Sequence, residues 1–197
     1  MGRFVQFGLV LASTAALAAC SSLGVGAGGG AVSPPASPQA AGLLGEDAAA
    51  AMIVLDLPGS LEPVPDASIV AFKLTAKGGD IRRIDALLVP ADAEGVMETL
   101  PPPATDRTYY LFGFSPKDQQ KLREAQEWAG AQSAVDVQID LLPALCNTEQ
   151  IDQATTRFSV LAAVSGAKLA PLRSNMSVAE MVAARNRPLQ LCAGHSG

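Results

Sequence analysis

Ser68-Ile69-Val70-Ala71-Phe72-Lys73-Leu74-Thr75-Ala76-Lys77-Gly78-Gly79-Asp80-Ile81 is the stretch that decides the fold. Val70, Phe72 and Leu74 fall on one side of an alternation and Lys73 and Thr75 on the other, the period of a half-buried strand. Lys77-Gly78-Gly79-Asp80 interrupts the run, and a second apolar run from Ile81 to Val89 ends at Pro90. Two adjacent glycines suit a tight hairpin in which both central residues take positive φ. The spacing therefore predicts an antiparallel hairpin over 68–89.

Working outward, other segments carry the same signal. Met52 to Leu57 is rich in β-formers and stops at Pro58-Gly59, a turn signal. Thr108 to Phe114 reads as a strand holding both tyrosines, and strand geometry sends Tyr109 and Tyr110 to opposite faces. Ala134 to Leu142 alternates most cleanly, and Arg157 to Val164 repeats the pattern more weakly. Between strands, Ser115-Pro116-Lys117-Asp118 has the chemistry of a helix start: a capping serine, proline at the first helical position and an acid three residues after the cap. That helix should run to about Ala129 and stop at Gly130, with Leu122, Ala125 and Trp128 as its apolar stripe. Ser177-Val178-Ala179-Glu180 is a capping box for a second short helix, ending near Arg185. Several short strands with two helices predict a mainly β (α+β) domain, a β-sandwich or small open barrel. Ala91 to Arg107, with Pro101-Pro102-Pro103, reads either as a long loop or as a loop interrupted by an edge strand over Val96–Leu100.

Upstream of Ala51 the composition changes. Residues 21–50 are mostly Ser, Gly, Ala and Pro, too poor in apolar surface to offset the entropy of ordering, and read as a tether. Glu46-Asp47 and Ala48 to Ala51 could form a short helical lead-in to the domain over 51–197. Such a tether reaches roughly 30 Å root-mean-square. Before it, Arg3 precedes an apolar run from Phe4 to Leu17, shorter than the roughly 20 residues that span a bilayer. Leu17-Ala18-Ala19-Cys20 closes that run. These twenty residues resemble the signal and lipobox of bacterial lipoproteins, a pattern of Leu, two small residues and Cys. The resemblance implies removal of residues 1–19, diacylation of Cys20 and usually acylation of the new N-terminus. Two or three chains anchor a protein stably where one is marginal. Ser21 stands where lipoproteins kept in the inner membrane commonly carry Asp, which implies the outer membrane, periplasmic side.

The chain carries 14 Lys+Arg against 19 Asp+Glu, and cleavage removes one arginine, taking the formal charge from −5 to −6. That balance argues against nucleic acid and against anionic membrane surfaces as partners, since both select clusters of Lys and Arg. The membrane lipid reached through Cys20 is then the one membrane contact. With Cys20 acylated, Cys146 and Cys192 are the remaining thiols in an oxidising compartment and should be bridged; the alternative is two buried free thiols.

Catalytic and metal signals are thin. The single histidine, His195, lies in the C-terminal tail, so no His-based cluster or Ser-His pairing is available without it. Asp136 and Asp140 share a strand face, an arrangement that serves acid/base work or Ca²⁺ but more simply a solvated face. Ser165-Gly166-Ala167-Lys168 has the Ser-x-x-Lys spacing of penicillin-binding enzymes, without Ser-Asp-Asn or Lys-Thr-Gly, and Gly166 and Pro171 favour a turn there. Gly28-Gly29-Gly30 has no Lys-Ser/Thr after it and is no phosphate loop. No catalytic residue, metal or cofactor is expected. The functional expectation is a non-enzymatic envelope lipoprotein that binds or assembles with a protein partner, touched by Arg107 and whichever of Tyr109 and Tyr110 is exposed; the alternative is that Arg107 only pairs with Asp106 or another surface acid. A carboxylate hydrolase independent of histidine and a carrier of a small apolar ligand are the competing classes.

Overall fold

The computed structural model describes residues 47–92, 100–163 and 169–193. Within them the strands are β1 (Met52–Pro58), β2 (Leu61–Pro63), β3 (Ile69–Ala76), β4 (Ile81–Pro90), β5 (Arg107–Phe114), β6 (Val135–Leu142), β7 (Leu145–Asn147), β8 (Arg157–Ala163), β9 (Ala170–Ser177) and β10 (Gln190–Leu191). The helices are α1 (Pro116–Gly130) and α2 (Val178–Arg185), and a 3-10 turn, Ala48–Ala50, precedes β1. Cys20 and its lipobox, the tether up to residue 46, residues 96–99 of the possible edge strand, Ser165, Lys168 and His195 lie outside the described residues.

Seven strands form one antiparallel sheet in the order β6-β3-β4-β5-β1-β8-β9, curled as a half-barrel, and β10-β7-β2 form a second, short sheet. The domain is mainly β with two helices, of the open-barrel kind. β3 and β4 are the predicted hairpin, in register from Ile69↔Leu87 to Thr75↔Ile81. Its turn differs from the expectation. Gly79 alone takes positive φ, at 92°, with its N–H on the Ala76 carbonyl (2.8 Å), and Ala76 N–H bonds Asp80 O (2.8 Å). A right-handed turn followed by one left-handed glycine closes the hairpin with a bulge, so one of the two glycines meets the backbone need. β6 adds on the far side of β3, which explains its clean alternation: one face packs on the core and the other is solvated.

β1 lies inside the sheet between β5 and β8, and Ile53, Val54, Leu55 and Leu57 are all buried. The inner face of the sheet gathers Ile53, Leu55, Phe72, Leu74, Phe114 and Phe158, and α1 covers it with Leu122 and Ala125. Phe72 and Phe114 meet edge to face, ring centroids 6.1 Å apart. Burying a side chain of this size contributes about 1.5–3 kcal/mol. The 3-10 turn lies against α1 with Ala48 and Ala49 buried.

β9 was not legible in the sequence. Its Pro171, Arg173, Ser174 and Asn175 oppose strand formation, yet it sits at the sheet edge, where proline costs no ladder bond, and its pairing with β8 is irregular around Val160. α1 ends at Gly130 with Ala131 in a right-handed conformation, so its stop uses no left-handed glycine. α2 has the full capping box: Glu180 N–H donates to Ser177 Oγ (3.1 Å) and Ser177 N–H to the Glu180 carboxylate (2.7 Å). The Ser177 N–H and the Ser177 hydroxyl (2.8 Å) both donate to that carboxylate and hold it below its usual pKa.

Asp118 is the buried charge among the described residues, 6% exposed. Its N–H is capped by Ser115 Oγ (3.2 Å), while its carboxylate accepts from Ser115 Oγ (2.9 Å), Lys121 Nζ (2.6 Å) and the backbone N–H of Leu87 (3.1 Å). Leu87 sits in β4 just before the pairing with β5 begins at Leu88↔Phe114, and β5 ends at Phe114. The Leu87 N–H therefore faces a gap in the ladder, and Asp118 fills it. Burial alone would raise this carboxyl, but the bonds from Lys121, Ser115 and Leu87 outweigh it and the pKa falls below 3.8. A lowered folded-state pKa means stability that is complete above the ordinary carboxylate range and lost as pH drops through the folded value. Asp118→Ala should cost about 1.5–3 kcal/mol in urea unfolding at pH 7. The deficit relative to wild type should shrink toward pH 3; a pH-independent deficit would mean that the carboxylate charge is not what matters.

Candidate functional site

Arg107 opens β5 opposite Pro58, and Tyr109 stands opposite Asp56. Alternation puts Arg107, Tyr109 and Asp56 on the outer face and Tyr110 on the inner face, where it packs on the core. Arg107 is not held by its neighbour Asp106. Its Nε donates to Asp56 Oδ1 (2.7 Å), its Nη2 to the Asp56 carbonyl (2.7 Å) and its Nη1 to the Arg157 carbonyl (3.3 Å). The guanidinium thus ties β5 to β1 and reaches β8 beyond it. With side chains 24% and 21% exposed, Arg107 and Asp56 form a partly buried pair whose donors are turned inward. Tyr109 is the tyrosine that shares the outer face with this pair. Tyr110 has its hydroxyl pKa raised, first by burial and then by the Glu62 charge.

The two acids on β6 do not converge. Asp136 pairs with Thr75 and Asp140 with Ala71, and between them Gln138 faces Lys73, which faces Arg83 on β4. Basic groups separate the carboxylates on that outer face, the pattern of a solvated, charge-balanced surface.

A second region surrounds the cysteine pair that the sequence predicts to be bridged, and the cleft beside that pair was not visible in the sequence. Cys146 in β7 and Cys192 just past β10 bring their sulfurs to bonding distance, with Cα atoms 5.0 Å apart, inside the range a bridge requires. The Glu62 carboxylate lies within 4.8 Å of both sulfurs. With the sulfurs joined to each other, one carboxylate remains, which is too few ligands to hold a metal ion. Beside the bridge opens a cleft of about 780 Å³, between the short sheet, the end of α2 and the segment leading into β10. Pro63, Leu145, Met181 and Leu189 supply apolar lining, and Glu62, Arg185 and Arg187 the charge. Arg185 Nη1 donates to the Leu142 carbonyl (2.8 Å), which fixes the end of α2 to β6. Burial and then the nearby Arg187 charge lower the Arg185 pKa. Neither arginine has an ion-pair partner among the described residues. Sequence offered one signal for this pair, two arginines two residues apart after a capped helix, and nothing to say that a cleft would lie beside them.

Two outcomes follow from this geometry. Arg107→Ala should destabilise by about 1.5–3 kcal/mol in urea, because the Asp56 carboxylate loses a charge-assisted bond. Asp56→Asn should cost less, since the Asp56 and Arg157 carbonyls still accept; the reverse order would refute the clamp. Replacing Cys146 and Cys192 together by Ala should lower stability by about 2–4 kcal/mol, and a reductant should then no longer affect the unfolding midpoint. Comparison with protein families, characterised proteins and solved structures finds no match to this chain, so the site is read from its own geometry.

Proposed function

We propose that this chain is an envelope lipoprotein, anchored through acylated Cys20 at the periplasmic side of the outer membrane, whose β-domain is a non-enzymatic binding or assembly module. The anchor rests on the Leu17-Ala18-Ala19-Cys20 pattern behind its charged and apolar leader. Among the described residues no helix is long and apolar enough to cross a membrane, and the lipid supplies that attachment instead. The binding reading rests on one observation, the cleft beside the Cys146–Cys192 pair. An enzyme of the carboxylate class needs convergent acids, and a carrier needs an enclosed apolar cavity. The cleft is open, of mixed lining, and its charged residues are two arginines and one glutamate. Such a surface suits recognition of another chain.

The anchor is tested by metabolic labelling with a fatty-acid probe: wild type should label and Cys20→Ser should not, and equal labelling would end the lipoprotein reading. The module is tested in cells by a photo-crosslinking residue at Tyr109 or Leu191, with exposed Gln120 on α1 as control. A defined envelope protein should be captured from at least one of the first two sites and not from the control.

A further inference from the structure

The cleft carries more than a binding reading. Arg185 and Arg187 form a positive pair in a chain of formal charge −5, and no carboxylate pairs with either among the described residues. Arg185 spends one donor on the Leu142 carbonyl, and the remaining guanidinium donors of the pair, beside apolar lining, favour an anion; the planar fork of arginine suits a carboxylate. β10 adds an open strand edge to the charge. It is the terminal strand of the short sheet, and it pairs with β7 in parallel, Gln190↔Cys146 and Leu191↔Asn147. Cys192 N–H donates to the Asn147 carbonyl (2.9 Å). Alternation along the strand then directs the N–H and C=O of Leu191 away from β7, to the open edge. The Leu191 side chain is 55% exposed, one of two large apolar side chains so exposed among the described residues, and it lines the cleft. An open strand edge, an exposed aliphatic anchor and a cationic pair are the elements by which one chain adds a strand from another.

We propose that this cleft docks an extended peptide segment of an envelope partner, seated along the free edge of β10 with a carboxylate side chain held by Arg185 and Arg187. The inference rests on the binding-module reading and names the chemistry of its partner. Leu191 offers the backbone N–H and C=O and an apolar contact, while the arginines select the acid. Because Glu62 stands in the same cleft and the chain is acidic overall, a polyacidic partner is repelled and a single carboxylate is preferred.

The test uses the full lipidated chain in phosphatidylcholine nanodiscs and fluorescence anisotropy of a labelled, end-capped heptapeptide of alternating valine and threonine bearing one glutamate. Its glutamine counterpart is the control and inorganic phosphate the competitor. The glutamate peptide should bind about tenfold more tightly than the glutamine peptide at low salt, the difference shrinking in 0.5 M salt. Arg187→Gln should erase that difference, and Leu191→Ser should weaken both peptides alike. Should Arg187→Gln lower the unfolding midpoint, Arg187→Lys, which keeps the charge and loses the fork, provides the comparison by a partial loss of preference. Equal affinity for the two peptides, no binding of either, displacement by millimolar phosphate, or a preference that survives Arg187→Gln would each overturn the proposal. Failure here with a partner still captured from Tyr109 removes the cleft and leaves the module; failure of both removes the module.

Discussion

The constraint on which the half-barrel depends is the break in the ladder at Leu87. β4 pairs with β3 along its first part and with β5 along its last three residues, so the sheet has to turn a corner within one strand. On the β5 side the Leu87 N–H meets no strand, because β5 stops at Phe114 and the chain turns into α1. The Leu87 N–H is partly buried, and a fully buried N–H without an acceptor would cost about 1–3 kcal/mol. Asp118 removes that cost and, by the same bond, seats the first turn of α1 against β4. Leu122 and Ala125 follow one and two turns later, which places them over the inner face of the sheet.

The two other buried polar side chains among the described residues serve comparable junctions. Ser68 Oγ accepts the N–H of Ala144 (2.9 Å), while its carbonyl takes the N–H of Leu88 (2.9 Å). Ser177 caps α2 where β9 gives way to helix. Each satisfies a backbone group at a change of element, where regular ladders end and donors are left over. The Arg107 guanidinium does related work from the outer face, bonding carbonyls of β1 and β8 across three neighbouring strands. Its chemistry is that of an interface residue, and its geometry is that of a strut.

That division has a consequence for where recognition can occur. The charges of the outer face on β3, β4 and β6 are arranged in alternating rows, and those of Arg107 and Asp56 neutralise each other at short range. Arg185 and Arg187, with no ion-pair partner among the described residues, lie with Glu62 in the cleft beside the Cys146–Cys192 pair, where the chain enters β10. The sulfur pair, 46 residues apart in sequence, holds that last strand against β7, so the edge and the arginines keep a fixed relation to each other.

The sequence by itself determined the elements with strong local periodicity: the 68–89 hairpin, the strands around residues 52, 108, 135 and 157, and the two capped helices. Local rules suffice there, because alternation and capping are properties of neighbours in the chain. It also carried the lipobox pattern and singled out Cys146 and Cys192 as a pair. It did not reveal β9, whose Pro171 and Asn175 are tolerated only because an edge strand forgoes part of its ladder, nor the three two- or three-residue strands, which have no periodicity to read. It put a left-handed conformation at two glycines where the bulged turn needs it at Gly79 alone. For Arg107 the sequence left a partner contact and a pairing with a surface acid both open, because it shows a charge and not its acceptor; only the β1–β5 register set Asp56 beside it. The cleft of Arg185 and Arg187 was decided by tertiary structure alone. It exists because residues 62, 146, 185 and 191, far apart along the chain, are brought together by strand pairing and by the approach of Cys146 to Cys192, and no local pattern encodes a surface of that kind.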